Sequence, residues 1–113
     1  MALAFGAPVG LMERLTPGRG YQGAKRERGF LEVETDGNGL FDGLPERVNV
    51  WHSHCDEVKE LPAGFHRTAF NDSCAIQAMQ HESKPLFGVQ FHPELFDEEH
   101  PLGRRIVENF LNV

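Results

Sequence analysis

Leu86-Phe87-Gly88-Val89-Gln90-Phe91 is apolar on both faces apart from Gln90, the composition of a central strand covered from two sides. His92-Pro93-Glu94 follows at once. Pro93 disfavours helical geometry at His92 and pushes it into extended chain. Residues two apart in extended chain point the same way. The stretch therefore predicts an imidazole and a carboxylate facing one another just beyond a buried strand. A carboxylate on one ring nitrogen fixes the tautomer and leaves the other nitrogen free as a base. That makes His92 and Glu94 two members of a nucleophile–histidine–acid triad. Three residues alone would equally suit an ordinary loop-edge histidine, but active-site residues gather at the carboxyl ends of parallel strands.

Working outward, strand signals dominate. Phe30 to Thr35 alternates, with Glu32 and Glu34 on one face, and Asp36-Gly37-Asn38-Gly39 marks a turn. Val48 to His54 is the next extended run, and a polar loop then reaches Pro62-Ala63-Gly64. Phe65 to Phe70 and Ala75 to Gln80 read as an antiparallel pair across Asn71-Asp72-Ser73. From Leu102 to Val113, Leu102, Ile106 and Phe110 with Val107 and Leu111 form a helical stripe. Asp97, Glu98 and Glu99 precede it, where a helix dipole favours carboxylates. Ala2-Leu3-Ala4-Phe5 with Gly6 and Pro8 reads as the last turn of a helix and its stop. A helix so short cannot offset its own nucleation cost. A frayed terminus is one reading; a chain that starts inside a helix is the other. Five strand candidates and one whole helix cannot cover both faces of a central sheet, so a partner or a further segment has to supply the cover.

The 113 residues suit one domain, 1–113, and nine Phe with 40% hydrophobic residues suffice for a small core. A net charge of −6 argues against a sequence-independent grip on nucleic acid or an anionic membrane. The apolar stretch Met1–Met12 is broken by Gly6, Pro8 and Gly10. It is too short to span a bilayer and lacks the basic start of a secretion signal. Two cysteines make no disulfide framework, which favours a reducing cytoplasm.

The triad needs a nucleophile. A nucleophile elbow wants small residues on both sides of the attacking group, as in Gly-x-nucleophile-x-Gly. Cys55 in His54-Cys55-Asp56 and Cys74 in Ser73-Cys74-Ala75 have no glycine beside them, and Ser53, Ser73 and Ser83 fit no better. Both thiols read as packing residues. A metal-binding module at His52, His54 and Cys55 is an alternative, since two histidines at i, i+2 share a strand face and zinc takes N and S ligands. It lacks a second ligand pair at tight spacing, so no metal ligand and no cofactor are assigned. Gly18-Arg19-Gly20-Tyr21-Gln22-Gly23 matches G-x-G-x-x-G by letter but has no strand–turn–helix frame and reads as a loop. Lys25, Arg26 and Arg28, with Glu27 among them, read as a solvated surface.

The run Gly88-Val89-Gln90-Phe91-His92-Pro93-Glu94 is similar to the closing motif of class I (triad-type) glutamine amidotransferases. The resemblance extends through Leu40-Phe41-Asp42-Gly43-Leu44-Pro45, Val50-Trp51-His52-Ser53-His54-Cys55-Asp56-Glu57-Val58 and Leu61-Pro62-Ala63-Gly64-Phe65. Ala2-Leu3-Ala4-Phe5-Gly6-Ala7 resembles the tail of the helix after the family's nucleophile elbow. The wording is most similar to the branch that serves GMP synthesis. The resemblance implies an α/β fold: the C-terminal portion of a flavodoxin-like amidotransferase domain, with a mixed sheet, an antiparallel excursion and a C-terminal helix. It implies glutamine as substrate, a thioester intermediate, and ammonia passed to an ATP-dependent synthetase partner, with no nucleic acid and no membrane. His92 would be the base, Glu94 its orienting acid, and Ser53, His54, Cys55 and Asp56 the loop that holds glutamine, although many relatives have Gly where Cys55 stands. The family's Gly-x-Cys-x-Gly-His-Gln elbow, oxyanion loop and first strands have no counterpart in these residues. The chain alone is therefore expected to release no ammonia, since the thiolate is what bonds to carbon. A non-catalytic remnant that docks on a synthetase is the alternative from another class.

Overall fold

The computed structural model describes residues 1–16, 20–24 and 26–113, with side chains described for 1–12 and 26–113. The chain opens with a single 3-10 turn, Leu3–Phe5, closed by Gly6 in the left-handed region (φ +80°), whose N–H donates to the Leu3 carbonyl. Among the described residues nine strands and one α-helix follow: β1 (Val9–Leu11), β2 (Glu13–Thr16), β3 (Gly20–Ala24), β4 (Glu27–Thr35), β5 (Arg47–His54), β6 (Asp56–Val58), β7 (Phe65–Phe70), β8 (Ala78–His81), β9 (Phe87–Val89) and α1 (Leu102–Leu111).

The main sheet has the order β5-β4-β7-β8-β9, beside two small pairs, β1-β6 and β2-β3. The expected β7–β8 antiparallel pair is present, with Phe65 opposite His81 and Ala69 opposite Ala78. Every pairing among the described residues is antiparallel. The antiparallel excursion and the C-terminal helix thus appear as expected, while the described residues pair no parallel strands. The long β4–β5 ladder sets Glu27 opposite His54, Gly29 opposite His52, Phe30 opposite Trp51 and Val33 opposite Val48. Gly29 adopts φ +104° there, a conformation that costs an L side chain about 1–2 kcal/mol.

The core lies between this sheet and α1. Val33, Val48, Val50, Ala69, Ala78 and Phe91 from the sheet side meet Leu40, Phe41 and Ile106. Phe41 belongs to a 3-10 turn, Gly39–Phe41. Asn109 of α1 donates to the Leu40 and Asp42 carbonyls at 2.8 and 2.9 Å, fixing that turn to the helix.

Several expectations shift. β9 is an edge of the described sheet and not its centre, and Val89 is exposed. The run is apolar on both faces because Phe87 packs toward the core while Gly88 lies against Met79 and Met1. The loop after β5 contains β6, paired with β1. The helical stripe buries Ile106 but leaves Phe110 and Leu111 exposed. The acidic run caps no helix: Asp97 accepts the His100 N–H at 2.7 Å, and α1 begins after Pro101. Gly18, Arg19 and Lys25 lie outside the described residues, whereas Gly20–Ala24 forms a strand of an antiparallel hairpin instead of the expected loop.

Candidate active site

Beyond β9 the chain crosses back toward the opposite edge strand. The His92 N–H donates to the Trp51 carbonyl of β5 at 2.8 Å, an isolated antiparallel bridge that links the two edges of the sheet. Pro93 holds the following turn, and the Leu95 N–H returns to the His92 carbonyl. The turn sits directly on α1: any Cβ at Gly103 would collide with the Pro93 carbonyl oxygen. The contact that the sequence predicts is present, but the turn at Pro93-Glu94 makes it and not the parity of extended chain. His92 Nδ1 lies 2.8 Å from Glu94 Oε1, with the two side chains 45% and 58% exposed. A carboxylate can only accept, so Nδ1 carries the hydrogen and Nε2 is left with its lone pair. Beside Glu94 an apolar cavity of about 270 Å³ runs between β9 and α1, lined by Phe87, Phe91, Pro93, Val107 and Phe110 among others.

The other predicted site residues lie at the end of β5. Val48, Val50, His52 and His54 alternate on one face of the strand, so the row of buried valines runs straight into two histidines. His52 is fully buried beside the Phe91 ring, 5.9 Å between centroids. His54 turns inward, whereas Ser53 and Cys55 are exposed and Asp56 opens β6 on the surface. The metal triplet His52, His54 and Cys55 is therefore not assembled: Cys55 lies outside the cluster, and the residue that joins the two histidines is Glu27.

Glu27, which sequence reasoning places among solvated charges, is instead the buried centre of this cluster. It is 3% exposed. Its Oε1 lies 2.9 Å from His54 Nε2 and 3.8 Å from His52 Nδ1. Gln77 Nε2 donates to the same oxygen at 2.7 Å, and Asn71 Nδ2 to Oε2 at 2.8 Å. Burial pushes the carboxyl up, but His54, Asn71 and Gln77 together outweigh that and hold its pKa at about 2. Burial also lowers His52 below the ordinary histidine value. For His54 the burial effect is overcome by the Glu27 carboxylate and the Asp56 carbonyl, and the net shift is upward. The signal available in the sequence is parity: Glu27, Leu31, Val33 and Thr35 share a strand face, and the last two are buried.

Among the described residues neither thiol is hydrogen-bonded to His92. Cys74 is buried, and its Sγ donates to the Ile76 carbonyl at 3.4 Å. Its pKa is pushed up to about 11, chiefly by burial, the opposite of what an attacking thiolate needs. Cys55 is exposed at the end of β5, next to the inward-turned His54 whose ring engages Glu27.

The family profile of glutamine amidotransferase class-I matches residues 1–113. Among curated proteins, a glutamine-hydrolysing GMP synthase subunit of Thermococcus kodakarensis is 50% identical over 90 residues, covering 79% of this chain and 47% of the relative. The corresponding protein of Archaeoglobus fulgidus is 43% identical over 113 residues, 100% of this chain and 55% of the relative. The crystal structure of a GMP synthase subunit candidate from Thermoplasma acidophilum superposes with a TM-score of 0.79 at 33% identity, over 98% of this chain and 50% of the other. A Thermotoga maritima glutamine amidotransferase shares the fold at 22% identity with a TM-score of 0.66, over 98% of this chain and 40% of the other. The chain thus spans about half the length of the curated relatives it matches. Among the described residues no helix is long and apolar enough to cross a membrane. With the profile running from Met1 to Val113 and the His-Pro-Glu pair formed beyond the end of β9, the chain belongs to the class-I glutamine amidotransferase family.

Proposed function

We propose that these residues are the base-bearing half of a glutaminase that feeds ammonia to a synthetase, in the manner of the GMP synthase proteins they resemble. The observation that carries the reading is the 2.8 Å contact between His92 Nδ1 and Glu94 Oε1. With Nδ1–H held by the carboxylate, Nε2 takes the proton of a cysteine thiol contributed from outside residues 1–113. The sulfur attacks the side-chain amide carbon of glutamine, and the imidazolium that forms is stabilised by Glu94. Collapse of the tetrahedral adduct returns the proton to the leaving nitrogen, which departs as ammonia and leaves a thioester. Water, deprotonated by the same imidazole, then releases glutamate and restores the thiol. The turn Ser53–Asp56 is assigned to glutamine positioning, with His54 acting through the fold and not through contact, since its ring faces Glu27.

The reading is tested by fusing the chain to the N-terminal half of the Thermococcus kodakarensis relative and assaying glutamate release. The fusion is expected to turn over glutamine and the 113 residues alone to release none. His92→Ala in the fusion should lower turnover by at least about 10³-fold, and Glu94→Gln by somewhat less. Unchanged turnover in His92→Ala would remove the assignment.

A further inference from the structure

We propose that Glu27, His52 and His54 form a sealed binding site for one divalent transition-metal ion of the zinc class. Oε1 of Glu27, a ring nitrogen of His52 and a ring nitrogen of His54 all lie within 4.8 Å of one another. Oε1 is 2.9 Å from His54 Nε2 and 3.8 Å from His52 Nδ1. Ligand atoms of a tetrahedral zinc site with bonds of about 2.05 Å stand roughly 3.4 Å apart, so the two distances bracket the requirement.

Two further observations point to a ligand. The His52 ring is 0% exposed, and neither of its nitrogens has a hydrogen-bond partner of proper geometry, although the Leu31 backbone acts on the ring as a hydrogen-bonding group that partly offsets the effect of burial. A buried imidazole without a well-formed hydrogen bond recovers little of the hydration it gives up, whereas a coordinating one exchanges it for a metal bond. At His54, Nδ1 lies 2.9 Å from the Asp56 carbonyl, which can only accept. The hydrogen is therefore on Nδ1, and the Nε2 position faces an anionic oxygen 2.9 Å away. A positive species has to stand between them, either a proton on the ring or a cation in its place.

The surrounding groups are those a metal site uses. The Asp56 carbonyl fixes the tautomer of one histidine ligand, and Asn71 Nδ2 at 2.8 Å from Oε2 orients the carboxylate. Gln77 donates its nitrogen to Oε1 at 2.7 Å while its own oxygen is buried without a partner. A half-turn of that amide presents the oxygen as a fourth ligand. Two nitrogens and two oxygens suit zinc or cobalt(II). The ion would staple β4, β5 and the lead into β8 together, directly behind the turn Ser53–Asp56.

The experiment uses the full 113-residue chain made without an affinity tag and stripped with a chelator. Zinc sulfate is titrated by calorimetry, and retained metal is measured by mass spectrometry after dialysis. About one equivalent with a Kd below roughly 1 µM is expected, together with a rise in Tm on zinc addition. Glu27→Gln and His54→Ala should each weaken binding at least about 100-fold, while His66→Ala and His81→Ala should leave it unchanged. Cobalt(II) added to the unmodified chain gives a readout that needs no variant to fold: strong visible absorption of a four-coordinate site supports the proposal. The weak spectrum of the hydrated ion, less than about a tenth of an equivalent of zinc, or binding that follows His66 or His81 would overturn it.

Discussion

Glu27 shows how one side chain is misread when charge is weighed before parity. Flanked by Arg26 and Arg28 it has the setting of a solvated residue, yet it holds Asn71, Gln77 and His54 through two oxygens. Removing it strands all three polar groups. Glu27→Ala is expected to destabilise the chain by about 3–5 kcal/mol, measured as a fall in the urea midpoint, whereas Arg28→Ala on the exposed face should change it by less than about 0.5 kcal/mol. By contrast the contact between His92 and Glu94 is legible, although its cause is not: a turn closed by the Leu95 N–H on the His92 carbonyl, and not two-residue parity, brings the groups together. Cys74 offers a pH test. Its folded-state pKa is about 11 against 9.0 for a free thiol, so the native state keeps a proton that the unfolded chain releases. The contribution is intact below pH 9 and is lost as pH rises through 11. Stability of the native sequence should therefore decline more steeply across that window than that of Cys74→Ala. Equal slopes in the two proteins would contradict the assigned burial of the thiol.

At the level of elements, strands with clean alternation are legible within a few residues, and those with other causes are not. β5 reads as Val48 to His54 because valine alternates with polar residues, and the strand is Arg47–His54. β6 is hidden: Asp56-Glu57-Val58 carries no apolar period, and it is a strand only because Val9-Gly10-Leu11 lies beside it. β9 has the composition of a central strand without the position, since its two apolar faces serve two different neighbourhoods. The helix is legible, but its stripe promises more burial than it delivers. Ile106 and Gly103 face inward, and the contact at Gly103 is the tightest constraint on α1. Gly103→Ala forces its methyl group against the Pro93 carbonyl. A cost of about 1–3 kcal/mol is expected, along with altered chemical shifts at His92 and Glu94. Unperturbed shifts would show that the helix and the turn move independently.

For the whole molecule, the chain measures 47 × 35 × 19 Å, a slab about as thin as one sheet with one helix layer on it. One helix cannot cover a sheet of this size, as the sequence implies, and Leu3, Val9, Leu11 and Val89 are exposed. Leu3, Val9, Val58, Ile76, Met79 and Val89 line a shallow groove of about 270 Å³. Such a surface is unusual for a protein that remains a monomer. The 113 residues on their own should associate with rising concentration in sedimentation velocity, and Leu3→Glu with Val9→Lys should suppress it. Strict monomer behaviour of the unaltered chain up to about 100 µM would show that the exposed residues form no cohesive patch. The bond from the His92 N–H to the Trp51 carbonyl has a different reach. It ties the proton acceptor to the strand that leads into Ser53–Asp56 through main-chain atoms alone. The spacing between acceptor and amide-holding turn is thus inherited from the polypeptide scaffold, and selection can rewrite the side chains of either without detuning the other.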